Sequence, residues 1–292
     1  MNSNPLSKHF SAGDDVAETY VHHDPWEKLR QFTHARIGIG RAGTSIPTQA
    51  LLQFQLSHAQ AIDAVHVPLD VPALCHQFEA EPLFSSYLPA FRLHSQAQHR
   101  MAYLQRPDYG RCLNEAAIYQ LQQYQQPEAG FDLAIVIADG LSSYAITHHA
   151  APFLTHLLHQ LHDDPNQNWQ IAPLCIVEQG RVAVGDDVGA ALNAREVLVL
   201  IGERPGLSSP DSMGLYLTWH PHRGTEDSLR NCISNVRPEG LDYQQAAHKC
   251  FYLLQESRRL HQTGVGLKDR SEDKTLHHTG TTPTFSLVDR AK

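Results

Sequence analysis

The chain has 292 residues and 41% hydrophobic content, enough for one large domain or two smaller ones with a buried core, and no apolar run approaches the roughly 18 to 20 residues of a membrane span. A formal net charge of -8 without a basic cluster argues against nucleic acid as a partner, and the N-terminus lacks the apolar segment of a signal peptide, so the default expectation is a soluble cytoplasmic protein. Five cysteines, never spaced CxxC, indicate thiols rather than a disulfide framework or zinc knuckle, and 20 histidines without HExxH spacing read as surface composition rather than a metal site.

In chain order, residues 1 to 34 read as a polar, partly disordered arm with one short amphipathic piece around Trp26 to Phe32. Gly38-Ile39-Gly40-Arg41-Ala42-Gly43 then matches the GxGxxG dinucleotide fingerprint letter for letter. That fingerprint needs a hydrophobic strand in front of it, and the segment from Gln31 to Arg36 is not one, which favours a flexible connection. Pro47 fits the first turn of a helix capped by Ser45, with Leu51, Leu52, Phe54 and Leu56 as its apolar positions. Between Ala64 and Tyr103 the prolines Pro68, Pro72, Pro82 and Pro89 break the pattern, and no chemistry can be assigned there. Residues 35 to 105 are accordingly read as a small, mostly helical N-terminal region.

From Arg106 the organisation changes. Leu113 to Tyr124 has helical periodicity, and Leu133 to Ala138 reads as a buried strand ended by Asp139-Gly140. Apolar residues from Ile146 to Leu161 recur at helical spacing until Asp163-Asp164-Pro165-Asn166. A third segment, Ile171 to Val177, reads as a strand that ends in a loop containing Gly180, Arg181 and Val182, and a short helix follows through Val188, Ala191 and Leu192. Val197 to Ile201 is an unbroken apolar run of the kind buried on both sheet faces, closed by Gly202 and followed by Glu203, Arg204, Pro205 and Gly206. Met213 to Trp219 reads as a further strand, Ala246 to Leu260 as a closing helix, and residues 271 to 292 as a polar tail. The alternation calls for an α/β domain over residues 106 to 270: a Rossmann-like parallel sheet with helices on both faces and right-handed crossovers. Parallel connection brings the loops of Asp139, of Arg181 with Val182, and of Glu203 with Arg204 to one sheet edge, where such sheets bind ligands. Each loop alone could equally be an ordinary polar connection, and Cys232 beside Ile233 an ordinary packed thiol.

Four segments in order, VIADGLS (136–142), GRVAVGDDVGAALNA (180–194), LIGERPGLSSPDS (200–212) and RNCISNVRPEG (230–240), resemble the small (light) subunit of ethanolamine ammonia-lyase. The likeness extends upstream through GRAGTSIPTQALLQF (40–54) and RPDYGRCL (106–113), covering about residues 35 to 268. The resemblance implies an adenosylcobalamin-dependent lyase that converts ethanolamine to acetaldehyde and ammonia. It further implies a large TIM-barrel subunit that holds the substrate, in a hetero-oligomer whose small subunit forms the platform beneath the corrin. The cofactor contacts carried over fall on Val182, Glu203 and Cys232, with no catalytic residue and no metal ligand on this chain. A carboxylate suits the donor amides of the corrin periphery, and a valine and a thiol can pack on the ring at little desolvation cost. No DxHxxG segment is present to replace the cofactor's dimethylbenzimidazole, so binding is expected base-on. A non-catalytic scaffold and a dinucleotide-dependent oxidoreductase domain using Gly38 to Gly43 are the competing readings, and encapsulation in a bacterial microcompartment is left open.

Overall fold

Gly130, at φ +72°, turns the chain into FDLAIVIA, a run in which all eight residues are buried, and Asp139-Gly140 closes it. The computed structural model in which this strand sits describes residues 21–33 and 35–271, so most of the expected arm and tail lie outside the described residues. In chain order, a ribbon of β1 (Val21–His22) and β2 (Arg41–Ala42) precedes α1 (Thr48–His66), α2 (Val71–Ala80), β3 (Phe91–His94), α3 (Arg100–Gln105) and α4 (Glu115–Gln122). Then come β4 (Phe131–Ala138), α5 (Ser143–His162), β5 (Cys175–Glu178), α6 (Val184–Ala191) and β6 (Ala194–Gly202). The strands β7 (Met213–Trp219) and β8 (Arg230–Val236) and the helix α7 (Tyr243–Leu260) complete the order.

Six strands form one sheet in the order β3-β5-β4-β6-β7-β8. The first four are mutually parallel, whereas β7 runs antiparallel to both β6 and β8, so the sheet is mixed rather than wholly parallel. The residues of β4 divide between two cores. Leu133, Ile135 and Ile137 face α5, α7 and α2, while Ala134, Val136 and Ala138 face α4 and α6. Burial on both faces explains the unbroken apolar runs in β4 and β6. On the second face α6 lies close against β6, because a Cβ at Gly185 would stand 2.4 Å from Val199 Cγ2. The chain leaves β4 through α5 to β5 on one side, and returns through α6 to β6 on the other. The C-terminal ends of β4, β5 and β6 therefore open together where the winding reverses.

Several expectations change. Ser45 does not cap α1: its backbone pairs with Ala42, and Pro47 at the N-cap makes no side-chain bond. The apolar positions Leu51, Leu52, Phe54 and Leu56 are all exposed, and α1 buries no residue. The third strand begins only at Cys175, because Pro173 lacks an amide for the ladder and Ile171 makes a single bridge to Leu133. The stretch read as patternless supplies β3, so the sheet takes an edge strand from residues upstream of Arg106. β8 falls in a stretch to which the sequence pattern assigned no element. Among the histidines, His149 is buried, bonded to the Tyr243 hydroxyl at 2.8 Å and facing Asp211, and burial pushes its pKa down.

Glu196 is the least comfortable group in the core. It is fully buried on β6, one carboxylate oxygen accepts the Ser257 hydroxyl at 2.8 Å, and the other has no partner. Burial pushes its pKa up to about 8, against the pull of Ser257 and of Arg258. The folded chain therefore holds a proton that the unfolded chain releases above its ordinary value near 4.5. Stability from this group is present in full at low pH and is lost as pH rises toward 8, with a slope of at most about 1.4 kcal/mol per pH unit. Glu196→Gln keeps a neutral partner for Ser257, so urea unfolding from pH 5 to 8.5 should show its advantage over the wild type growing with pH. Parallel pH profiles for the two proteins would contradict this account.

Candidate cofactor surface

The helices α4 and α6 cover the second sheet face only over its parallel strands, because α6 packs on β4 and β6. Beyond them the antiparallel pair β7-β8 leaves Cys232 and Ser234 of that face exposed and Tyr216 half-buried, while Thr218 and Arg230 are buried. Tyr216 is paired in register with Cys232; the first is half-buried and the second exposed, while the next residue, Ile233, points into the opposite core. Cys232 is thus an outward thiol rather than the packed one the sequence also allowed. The turn before α6 brings Val182 to the rim, half-buried, and Val182, Tyr216, Arg230, Cys232 and Pro107 line a cleft of about 390 Å³. A wider cleft, about 720 Å³, lies between the C-terminal half of α1 and the first turns of α5, and none of Val182, Glu203 or Cys232 lines it.

Glu203 reaches this face from the end of β6. Its carboxylate accepts the hydroxyls of Ser212 and Ser234 and the backbone N–H of Asn235 at 3.2 Å, rather than pairing with Arg204, which points to solvent. The side chain can lie across β7 because position 214 is glycine: a Cβ there would stand 3.0 Å from Glu203 Oε1. Two donors engage Oε2 and one engages Oε1. A carboxylate has about four acceptor directions, so one on Oε1 is left for an outside donor.

Electrostatics make the thiol quiet. Burial and the Glu203 charge push the Cys232 pKa up, and a hydrogen bond from the Tyr216 hydroxyl only partly offsets this. Burial likewise pushes Tyr216 up. Both are neutral at physiological pH, so neither serves as a nucleophile or base, and together with Val182 they form a weakly polar wall. Among the described residues no group of three His, Cys, Asp or Glu side chains is placed to hold a metal ion. No helix among them is long and apolar enough to cross a membrane.

Two features escaped the sequence. Asp139, placed by topology at the open edge, turns inward and is fully buried. Arg230 forms the floor of the cleft with 2% of its side chain exposed, both Asp186 oxygens at 2.7 Å, and further bonds to the Thr218 hydroxyl and the Thr225 carbonyl. Those partners lie on α6, on β7 and in the loop before β8, so one guanidinium fastens the edge strand to the helix that follows Val182. The pair is 44 residues apart in sequence, and no local spacing announces it.

The family model described as ethanolamine ammonia-lyase light chain matches residues 23–268. The chain belongs to that family. It is 52% identical over 254 residues to the ethanolamine ammonia-lyase small subunit of Pseudomonas fluorescens strain Pf0-1, covering 87% of this chain and 90% of the relative. The small subunit of Azotobacter vinelandii is 51% identical over 266 residues, covering 91% of this chain and 96% of the relative. That of Pseudomonas aeruginosa strain LESB58 is 50% identical over 254 residues, covering 87% and 90%. The match to the light-chain model begins at residue 23, upstream of the stretch that carried the resemblance, and takes in the exposed 3-10 turn of Pro25–Phe32.

The Arg230–Asp186 fork should dominate local stability. Arg230→Met leaves a buried carboxylate without a counter-charge, and a loss of about 3 to 5 kcal/mol is expected in urea unfolding. Adding Asp186→Leu should recover most of it. A loss below about 1 kcal/mol in the single variant would show that the pair does not carry the strand.

Proposed function

We propose that this chain is the cobalamin-binding platform of an adenosylcobalamin-dependent ethanolamine ammonia-lyase that converts ethanolamine to acetaldehyde and ammonia, with substrate chemistry on a large partner subunit. The observation that carries this reading is the convergence of Val182, Cys232 and Glu203 on the uncovered face of β7-β8. A weakly polar wall beside a carboxylate with a free acceptor direction suits a macrocycle whose rim carries donor amides. The cleft is too small to enclose a corrinoid, so it offers one wall of a site that a second surface must close. When bound, adenosylcobalamin supplies homolysis of its cobalt–carbon bond. In this account Val182 and Tyr216 exclude water from the ring face, Cys232 packs as a neutral thiol, and Glu203 orients the rim by accepting an amide hydrogen. Base-on binding is proposed because no DxHxxG segment is present.

The large subunit is the natural occupant of the exposed apolar face of α1, where Leu51, Leu52, Phe54, Leu56 and Ile62 remain uncovered. This supports residues 35 to 105 as the region of subunit contact. The dinucleotide reading has less support. Gly38 to Gly43 lies across the β1-β2 ribbon, where a Cβ on Gly40 would stand 2.3 Å from the His22 carbonyl, and no strand–turn–helix surrounds it. A scaffold without a cofactor would use the same α1 face and leave the β7-β8 face idle.

Two experiments decide. Reconstituted with its large subunit, the complex should turn over ethanolamine, whereas the chain alone should not, since no acid/base constellation is assembled on the described residues. Activity of the isolated chain would refute the division of labour. In the complex, Glu203→Ala should weaken cobalamin binding roughly 5- to 150-fold, the equivalent of about 1 to 3 kcal/mol for unpaired donors, and Glu203→Gln should lose less. Titration with adenosylcobalamin, alongside melting temperature and sizing, separates the roles. Lower stability with unchanged affinity would leave Glu203 as a brace for Ser212 and Ser234 only.

A further inference from the structure

The sheet-edge residue Asp139 has an arrangement that packing alone does not require. Its carboxylate lies where the winding reverses, fully buried, with Oδ2 accepting the N–H of Gln179 and Oδ1 that of Gly180, each at 3.0 Å. Those two amides open the turn that ends at Val182, and Gln179 holds the left-handed conformation at φ +56°, which a residue with a side chain adopts at some cost. Within the turn, the Arg181 N–H is bonded to the Gly110 carbonyl at 2.8 Å, and the Arg181 guanidinium lies over the Tyr103 ring at 4.5 Å. Val182 is therefore held at both sides, with the Asp139 carboxylate on the sheet side.

Arg100 joins this carboxylate to a distant element. It donates from Nη1 to the Gly140 carbonyl at 2.8 Å, stands 3.4 Å from Asp139 Oδ2 and from Gln179 Oε1, and donates from Nε to the Val65 carbonyl in the last turn of α1 at 2.6 Å. Its guanidinium also lies over the Tyr103 ring, at 4.7 Å. One side chain thus bridges the end of the helix with the uncovered apolar face and the clamp on the Val182 turn.

We propose that Asp139 and Arg100 are positioning residues for the cofactor: Asp139 sets the turn that carries Val182, and Arg100 ties that setting to the end of α1, so that cofactor affinity depends on how the partner holds α1. This rests on the reading of Val182 as a cofactor contact. The charged and titratable groups facing Asp139 are Arg100 and Tyr103 from α3, with Arg181 from the turn stacked on Tyr103. Burial raises the Asp139 pKa to about 6, against Arg100 and the two backbone N–H donors. An acid shifted upward keeps its proton to higher pH, so the clamp is complete above about 6 and releases as pH falls through that value.

The test uses the complex of both subunits. Without cofactor, amide hydrogen exchange at pH 7.5 should accelerate at Gln179 and Gly180 in Asp139→Asn and remain unchanged in β6 and α7. Titration with adenosylcobalamin should show wild-type affinity falling on going from pH 7.5 to 5. Asp139→Asn should be weaker by roughly tenfold at pH 7.5 and lack that pH dependence, since an amide does not titrate. A variant with the wild-type pH profile, or with faster exchange and unchanged affinity, would overturn the proposal. If Asp139→Asn fails to assemble, Arg100→Lys carries the same two measurements. It retains the charge but cannot span the Val65 and Gly140 carbonyls, and it should accelerate exchange at Gln179 and weaken cobalamin binding while sizing shows intact complex. No cobalamin binding by the wild-type complex would overturn the cofactor reading itself, and the exchange comparison would still decide whether Asp139 sets the turn.

Discussion

Everything on the β7-β8 face depends on a single ionic fork, Arg230 with Asp186, set in a nearly dry interior. Edge strands are ordinarily the loosest part of a sheet. Here β8 is fastened from beneath by a guanidinium whose partners lie on α6, β7 and the preceding loop. Desolvating both charges is costly, and an apolar pair of similar volume would serve stability as well. What the ion pair adds is directional: a forked guanidinium fixes the angle between strand and helix, and with it the spacing between Cys232 and Val182.

The fold shows why a mixed sheet suits such a surface. Four parallel strands need crossover helices, which bury both faces. Two antiparallel strands need only hairpin-scale connections, and so they can leave one face open. The transition from β6 to β7 is therefore the boundary between the part of the sheet that is core and the part that is surface. Glu203 stands at that boundary, and Gly214 lets its carboxylate lie flat across the first open strand.

Much of this was legible in the residues. The runs at 133–138 and 197–201 announce strands buried on both faces, which the structure extends to 131–138 and 194–202, and the order of strands and helices announces an α/β chain whose loops open together. Val182, Glu203 and Cys232 were named as candidates through the family likeness alone, and in the structure Val182 and Cys232 line one cleft while Glu203 bonds Ser234 on the same strand as Cys232. The misses have physical causes. β3 is four residues long, with Arg92 and His94 alternating with its apolar positions, and β8 shows the broken pattern of a strand with one solvated face. The inward turn of Asp139 cannot be read from a loop composition that equally suits a ligand contact. The Arg230–Asp186 and Arg100–Val65 links join segments far apart in sequence and leave no periodic trace.

The solvated state of α1 has a consequence for the life of the chain. A helix of 19 residues that fully buries none of them takes little support from the protein's own core, and it is such packing that supplies most helical stability in a folded chain. Its fixed points lie at its C-terminal end, where Arg100 holds the Val65 carbonyl and Ser143 the Val67 carbonyl. An unpaired copy would therefore display these apolar side chains to chaperones and proteases, and a partner that covered α1 would remove that exposure.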